Sequence, residues 1–178
     1  APKPGHWLLP GRSLCGTLKV FDIGIPARIV RAGAGSLRLN APFLWAGWGG
    51  DLAASTHKFK RGHLVVFSGD RQATGAARLS AAAGLAAGAG LVTVATGKAA
   101  LGINASHLTA VMVKEVDGKR ELTKWLQDQR LGSFVLGPGF GIGKKARDFA
   151  LALCDRSLVL DADGITSFQT NPGELFAA

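Results

Sequence analysis

The stretch His57 to Thr96 reads HKFKRGHLVVFSGDRQATGAARLSAAAGLAAGAGLVTVAT. It predicts a strand, a glycine-bounded loop, an Ala/Gly-rich helix and a second strand. Where a strand's carboxyl end turns into a helix N-terminus, free amides and the helix dipole favour a phosphate- or nucleotide-bearing ligand. The same pattern returns at Leu136-Gly137-Pro138-Gly139-Phe140-Gly141 and at Leu160-Asp161-Ala162-Asp163-Gly164. Three strand ends of this kind predict one ligand site along one edge of a parallel sheet.

Working outward, the alternation is regular from His63 onward. Strands are expected at 63–68, 91–95, 110–116, 133–136 and 157–160, and helices at 75–88, 98–103, 119–130 and 143–155. Strands written as continuous apolar runs (LVVF, LVTVA, FVLG, LVLD) need cover on both faces, so the fold class is α/β with a mostly parallel sheet. The small side chains of GAARLSAAAGLAAG allow either close packing on the sheet or ligand approach near the helix start.

Before His57 the pattern is weaker. Residues 16–25 (GTLKVFDIGI) have strand character after a turn-rich Pro4–Gly16 segment. Residues 27–56 show glycine pairs and no sustained period, which predicts a connector with a short strand or turn. The chain opens Ala-Pro-Lys-Pro, its only methionine is Met112, and its last residues read as the first turns of a helix. A piece of a longer protein is therefore expected.

Composition narrows the partners. The net charge is +9, concentrated in residues 1–63, where nine Lys/Arg face Asp22 and Asp51. A basic excess favours anionic partners, yet the longest cluster is only Lys58-Phe59-Lys60-Arg61, so a nucleotide fits better than nucleic acid. Cys15 and Cys154 form no CxxC, which suits a reducing, cytoplasmic setting. The four histidines form no zinc pattern. The uncharged run from Leu79 to Gly97 is broken by Gly88-Ala89-Gly90, so it reads as buried helix and strand rather than a membrane span.

Each loop has its own chemistry. Ser68 to Gly75 lacks a Gly-Lys-Ser/Thr sequence and offers only backbone amides near a helix start. Gly137 to Gly143 has four glycines at alternate positions, which permits positive φ and close backbone approach. Lys144 and Lys145 follow, at a helix start where cations are disfavoured; a bound anion or simple solvation would relieve them. Asp161 and Asp163 could hold a metal, orient a ligand hydroxyl or serve as acid or base; Asp163 could equally cap the following turn.

Taken together, these pieces resemble the dehydratase domain of NAD(P)H-hydrate repair enzymes. The matching segments are His57-Lys58-x-x-Arg61-Gly62-His63, Thr74-Gly75-Ala76-Ala77-Arg78-Leu79, Ala87-Gly88-Ala89-Gly90-Leu91-Val92-Thr93, Leu136-Gly137-Pro138-Gly139-Phe140-Gly141 and Leu160-Asp161-Ala162-Asp163. Residues 3–26 resemble the closing segment of the epimerase domain in the fused, bifunctional form. The resemblance implies three regions: 1–26 as an epimerase tail, 27–56 as connector, and 57–178 as the N-terminal part of the dehydratase. It implies a ribokinase-like three-layer α/β/α fold, here partial.

By the same resemblance, hydrated NADH or NADPH is phosphorylated by ADP (ATP in eukaryotic relatives) with Mg²⁺. Loss of phosphate then restores the ring double bond, and the fused epimerase, which uses K⁺, interconverts the R and S hydrates. Ala76 and Gly141 match positions that contact the hydrated substrate, and Gly139 shapes the loop. The family's catalytic Asp falls beyond residue 178, so no catalytic residue is assigned. No membrane or nucleic-acid partner is expected, and a homo-oligomer stays open. Another ribokinase-like small-molecule kinase, or a non-catalytic nucleotide-binding module, are the alternatives.

Overall fold

The computed structural model describes residues 3–36, 38–48 and 57–178. Backbone contacts divide the chain into two units, Ala1–Leu52 and Ala53–Ala178.

In the first unit the described residues form only short helical pieces. These are 3-10 turns at Pro4–His6, Pro42–Leu44 and Ala46–Trp48, and helices α1 (Gly11–Leu14) and α2 (Ala27–Gly33). The strand expected at 16–25 does not form: that segment has no regular secondary structure and pairs with nothing among the described residues. A strand needs a neighbour to take its backbone hydrogen bonds, and alternation alone supplies none. Within 27–56 the described residues hold helical turns and no strand, which is the turn alternative of that expectation. Residues 49–56 lie outside the described residues.

The second unit is a five-stranded sheet. Its strands are β1 (His63–Phe67), β2 (Leu91–Thr96), β3 (Met112–Glu115), β4 (Ser133–Leu136) and β5 (Ser157–Leu160). All pair in parallel, in the order β3-β2-β1-β4-β5. Helices α3 (Gly75–Ala86), α4 (Lys98–His107), α5 (Lys119–Trp125) and α6 (Lys144–Leu153) alternate with them. Two shorter helices, α7 (Asp163–Thr166) and α8 (Pro172–Phe176), follow β5. Every expected strand and helix of this unit is present. Helix α4 runs four residues further than the 98–103 expected, and α5 stops at Trp125, five residues short.

Period-two alternation in the strands builds two cores, one on each face. On one face Val65, Phe67, Phe134 and Leu136 pack with Leu122 of α5 and with Phe149, Ala150 and Leu153 of α6. On the other, Val66, Val92 and Val94 pack with Ala77 and Ala81 of α3. This is the three-layer α/β/α arrangement. Helix α6 earns its place through the spacing Ala146, Phe149, Ala150, Leu153, all buried along one stripe. Helix α3 lies close because its inner face is alanine and glycine: a methyl on Gly84 would stand 2.3 Å from Leu64 Cδ2. For this helix, close packing is what the small residues achieve over most of its length.

His63, at the start of β1, is half-buried, with its Nε2 2.7 Å from Thr93 Oγ1 on β2. Burial is the main influence on the ring and lowers its pKa below 6.5; Asp128 opposes this and Arg130 adds to it. A lowered folded-state pKa means the unfolded chain binds more protons, so stability is full above pH 6.5 and falls as the pH drops below it. Thermal unfolding between pH 7 and 5 is expected to show this decline, and His63→Gln to flatten it.

Candidate active site at the carboxyl edge of the sheet

The strand order fixes where a site belongs. From β1 the chain steps outward through β2 and β3, then returns to the far side of β1 for β4 and β5. The direction reverses between β1 and β4, and in open parallel sheets ligands sit outside the strand carboxyl ends at such a reversal. The two loops leaving this pair are 69–75 and 137–143, the first two glycine-bounded loops.

These loops touch. A methyl on Gly69 would lie 1.7 Å from the Gly139 carbonyl oxygen, and one on Gly139 would lie 3.1 Å from the Ala73 oxygen. The third loop joins them. Gly141 N–H donates to Asp163 Oδ2 at 2.9 Å, and Gly143 N–H to Ser167 Oγ at 3.1 Å. A methyl on Gly137 would meet the Asp161 carbonyl oxygen at 1.7 Å. The expectation of three loops at one edge therefore holds, and at Gly69 and Gly137 only glycine fits because backbone approaches backbone.

The alternate glycines behave as their spacing suggests: Gly137, Gly139, Gly141 and Gly143 all have positive φ. Between them Phe140 turns inward and anchors the loop. Its ring lies 5.3 Å from Phe149 and 6.2 Å from Phe67, centroid to centroid. The loop is thus fastened to the core on its apolar side, leaving glycine backbone on the other.

Asp161 and Asp163 have different situations. Asp163 is the first residue of α7, and its carboxylate binds the Gly141 amide across loops rather than capping its own turn. Asp161 is exposed and its carboxylate takes no hydrogen bond among the described residues. Ala162 between them has φ of +45°, an uncommon backbone state for a residue with a side chain and one that concentrates at functional sites. Ala76 is exposed as the second residue of α3, on the turn that leads out of the first loop. Gly141 is exposed, with nothing within 4 Å of where a side chain would start.

Beside these loops opens a cleft of about 330 Å³, lined by the carboxyl ends of several strands. Ser68, Gly69 and Asp70 come from the β1 end, Gly97 and Ala100 from the β2 end, and Asp117 follows β3. Phe140 and Lys145 close it from the side of β4 and α6. Two residues that sequence reading passed over organise its floor. Asn104 on α4 is fully buried, and its side-chain nitrogen reaches Ser68 Oγ (3.1 Å), Ala100 O (3.1 Å) and Thr96 Oγ1 (3.4 Å). Its Oδ1 has no protein partner. Asp117 Oδ1 accepts the Lys98 N–H at 3.1 Å and so caps α4 from a different segment, because the N-cap residue, Gly97, has no side chain. Neither residue carries a local motif.

The described residues contain no group of three or more His, Cys, Asp or Glu placed to hold a metal ion. The Mg²⁺ and K⁺ implied by the resemblance thus find no ready-made cage in them. No helix among the described residues is long and apolar enough to cross a membrane.

The NAD(P)H-hydrate dehydratase family model matches residues 64–177, which takes in all three loops and, apart from His63 at the start of β1, all five strands. The chain belongs to that family. Over 187 aligned positions it is 32% identical to the bifunctional NAD(P)H-hydrate repair enzyme of Moorella thermoacetica, covering 96% of this chain and 34% of that protein. It is 31% identical to the ADP-dependent (S)-NAD(P)H-hydrate dehydratase of Staphylococcus aureus, over 64% of this chain and 42% of the other. The chain thus spans between a third and a half of these relatives.

Among solved structures, a ribokinase-like superfamily protein from Enterococcus faecalis superposes with a TM-score of 0.56 at 26% identity, covering 67% of this chain and 43% of that one. A hypothetical protein from Streptococcus mutans gives 0.58 at 25% identity, over 72% and 48%. The ribokinase-like fold implied by the resemblance is therefore the fold of the second unit.

Proposed function

We propose that the carboxyl edge of this sheet binds hydrated NADH or NADPH, as part of an ADP-dependent dehydration that restores the reduced cofactor. The observation that carries this reading is the meeting of the β1 and β4 loops at the sheet's reversal point, in a chain of the dehydratase family. In the reaction, the ring hydroxyl takes the terminal phosphoryl group of ADP, leaving AMP. The C–O bond then breaks as phosphate departs, and a proton leaves the neighbouring carbon as the double bond returns.

In this reading Ala76, Gly139 and Gly141 form the substrate wall. They are small and lie on or beside exposed backbone, which lets a bulky dinucleotide come close. Asp163 holds the Gly141 amide and so sets the loop's shape, while Asp161 is free to meet a ligand hydroxyl. The catalytic base is carried by a segment outside residues 1–178, and residues 1–26 represent the tail of a fused epimerase joined through the connector 27–56. ADP and Mg²⁺ enter as co-substrate and its ion, and K⁺ belongs to the epimerase half. A cytoplasmic setting, where the reduced cofactors are used, suits this role.

The test is calorimetric titration of the chain with S-hydrated NADPH and, separately, with intact NADPH. Saturable binding that prefers the hydrate is the expected result; no binding of either would remove the reading. Gly141→Val is expected to weaken the hydrate roughly tenfold or more, about 1.4 kcal/mol. Positive φ is strained for a β-branched residue and costs about 1–2 kcal/mol, with no steric clash in the open space around it. Unchanged affinity with lost stability would make Gly141 a purely structural residue.

A further inference from the structure

Lys144 and Lys145 both stand in the first turn of α6, where a positive charge opposes the helix dipole. They are not equivalent. Lys144 Nζ pairs with Asp148 at 2.6 Å, one turn along the same helix. Lys145 makes no ion pair among the described residues. Its ammonium instead lies over two aromatic faces, 5.4 Å from the centre of the Phe140 ring and 5.6 Å from that of Phe149, and it lines the cleft.

The rest of the lining mixes free hydrogen-bond donors with two carboxylates. Gly69 and Asp70 line the same cleft, and neither of their amides donates a hydrogen bond among the described residues. Of the two carboxylates, Asp117 has one oxygen turned to the Lys98 amide at 3.1 Å and Asp70 one turned to the Arg71 amide at 2.7 Å. Glycine at 97 keeps the wall thin between Asp117 and Lys145; a methyl there would lie 2.7 Å from Asp117 Oδ1 and 3.9 Å from Lys145 Nζ.

We propose that Lys145, with the free amides of Gly69 and Asp70, forms an anion subsite of the cleft that holds a phosphate group of the bound ligand. The proposal deepens the functional reading above and rests on it for the ligand's identity. The two rings steer the ammonium without neutralising it. A phosphate there gives Lys145 the direct ion pair that Asp148 gives to Lys144 and that Asp117, across Gly97, does not make, and the uncommitted amides supply donors for its remaining oxygens. Because Phe140 lies between Gly139 and Gly141, the subsite adjoins the loop that faces the hydrated ring.

The experiment titrates the full chain with inorganic pyrophosphate at low salt, followed by amide chemical shifts, for the wild type, Lys145→Met, Lys145→Arg and Lys144→Met. Lys145→Met is expected to weaken pyrophosphate roughly tenfold, whereas Lys145→Arg and Lys144→Met stay within about threefold of wild type. Equal losses for Lys144→Met and Lys145→Met, or no saturable binding to the wild type, would overturn the subsite. A second titration uses S-hydrated NADPH and the phosphate-free hydrated nicotinamide riboside. Lys145→Met should weaken the first and leave the second unchanged. If pyrophosphate depends on Lys145 but hydrated NADPH does not bind, the subsite stands and the cofactor-repair reading falls. If hydrated NADPH binds the wild type and Lys145→Met equally, the subsite falls and the repair reading stands.

Discussion

Gly137→Ala is expected to destabilise the second unit by about 3 kcal/mol or more, the sum of a strained backbone and an overpacked contact. Gly137 has φ of +131°, which an L side chain rarely adopts. The new methyl would also lie 1.7 Å from the Asp161 carbonyl oxygen and 2.9 Å from the Gly164 nitrogen. Neither neighbour can swing away, since both are backbone and the Asp161 oxygen already accepts the Gly164 N–H at 2.9 Å. The β4 and β5 loops would have to separate, and with them the Gly141–Asp163 bond. Urea unfolding checks this through the midpoint at constant slope. A variant as stable as wild type would mean that the two loops are not packed backbone to backbone.

Phe149→Ala is expected to cost about 3–5 kcal/mol, the usual range for deleting a fully buried ring. Phe149 has no exposed surface and meets Phe67 edge-on at 5.4 Å and Phe140 at 5.3 Å. Its loss therefore reaches beyond the core. Phe140 would lose the ring that pins the glycine loop, and Lys145 one of the two faces beneath its ammonium. Besides the drop in unfolding free energy, exchange of the Gly139 and Gly141 amides should speed up. Phe149→Leu, which fills most of the space, should recover much of the stability; if it recovers none, the ring packing described here is wrong.

The legible part of this fold is the part whose signal is local. LVVF, LVTVA, FVLG and LVLD read as strands because they are buried on both faces, and a continuous apolar run says so without reference to any neighbour. The alternate glycines of 137–143 likewise permit positive φ by their identity alone, and all four adopt it. Residues 16–25 misled for the opposite reason: GTLKVFDIGI has a strand's composition, but pairing is a property of two segments, and no partner exists among the described residues. The ends of α4 and α5 were missed because the packing around them sets their length. Asn104 and Asp117 were invisible for a similar reason. Asn104 reaches Ser68 from 36 residues away, and Asp117 caps Lys98 from 19. The two aspartates of 161–163 leave ligand binding and capping open in the sequence, and what no local pattern shows is that the Asp163 carboxylate also accepts the Gly141 amide from another loop.

In the proposed function the hydrated dinucleotide meets this chain at the carboxyl edge, where the β1, β4 and β5 loops converge. Amide chemical-shift mapping with S-hydrated NADPH tests it most directly. The largest shifts are expected at Ala76, Gly139 and Gly141, with smaller ones at Gly69 and Asp70. Shifts clustered instead at the opposite edge, around His63, Gly90 and Gly132, would contradict it.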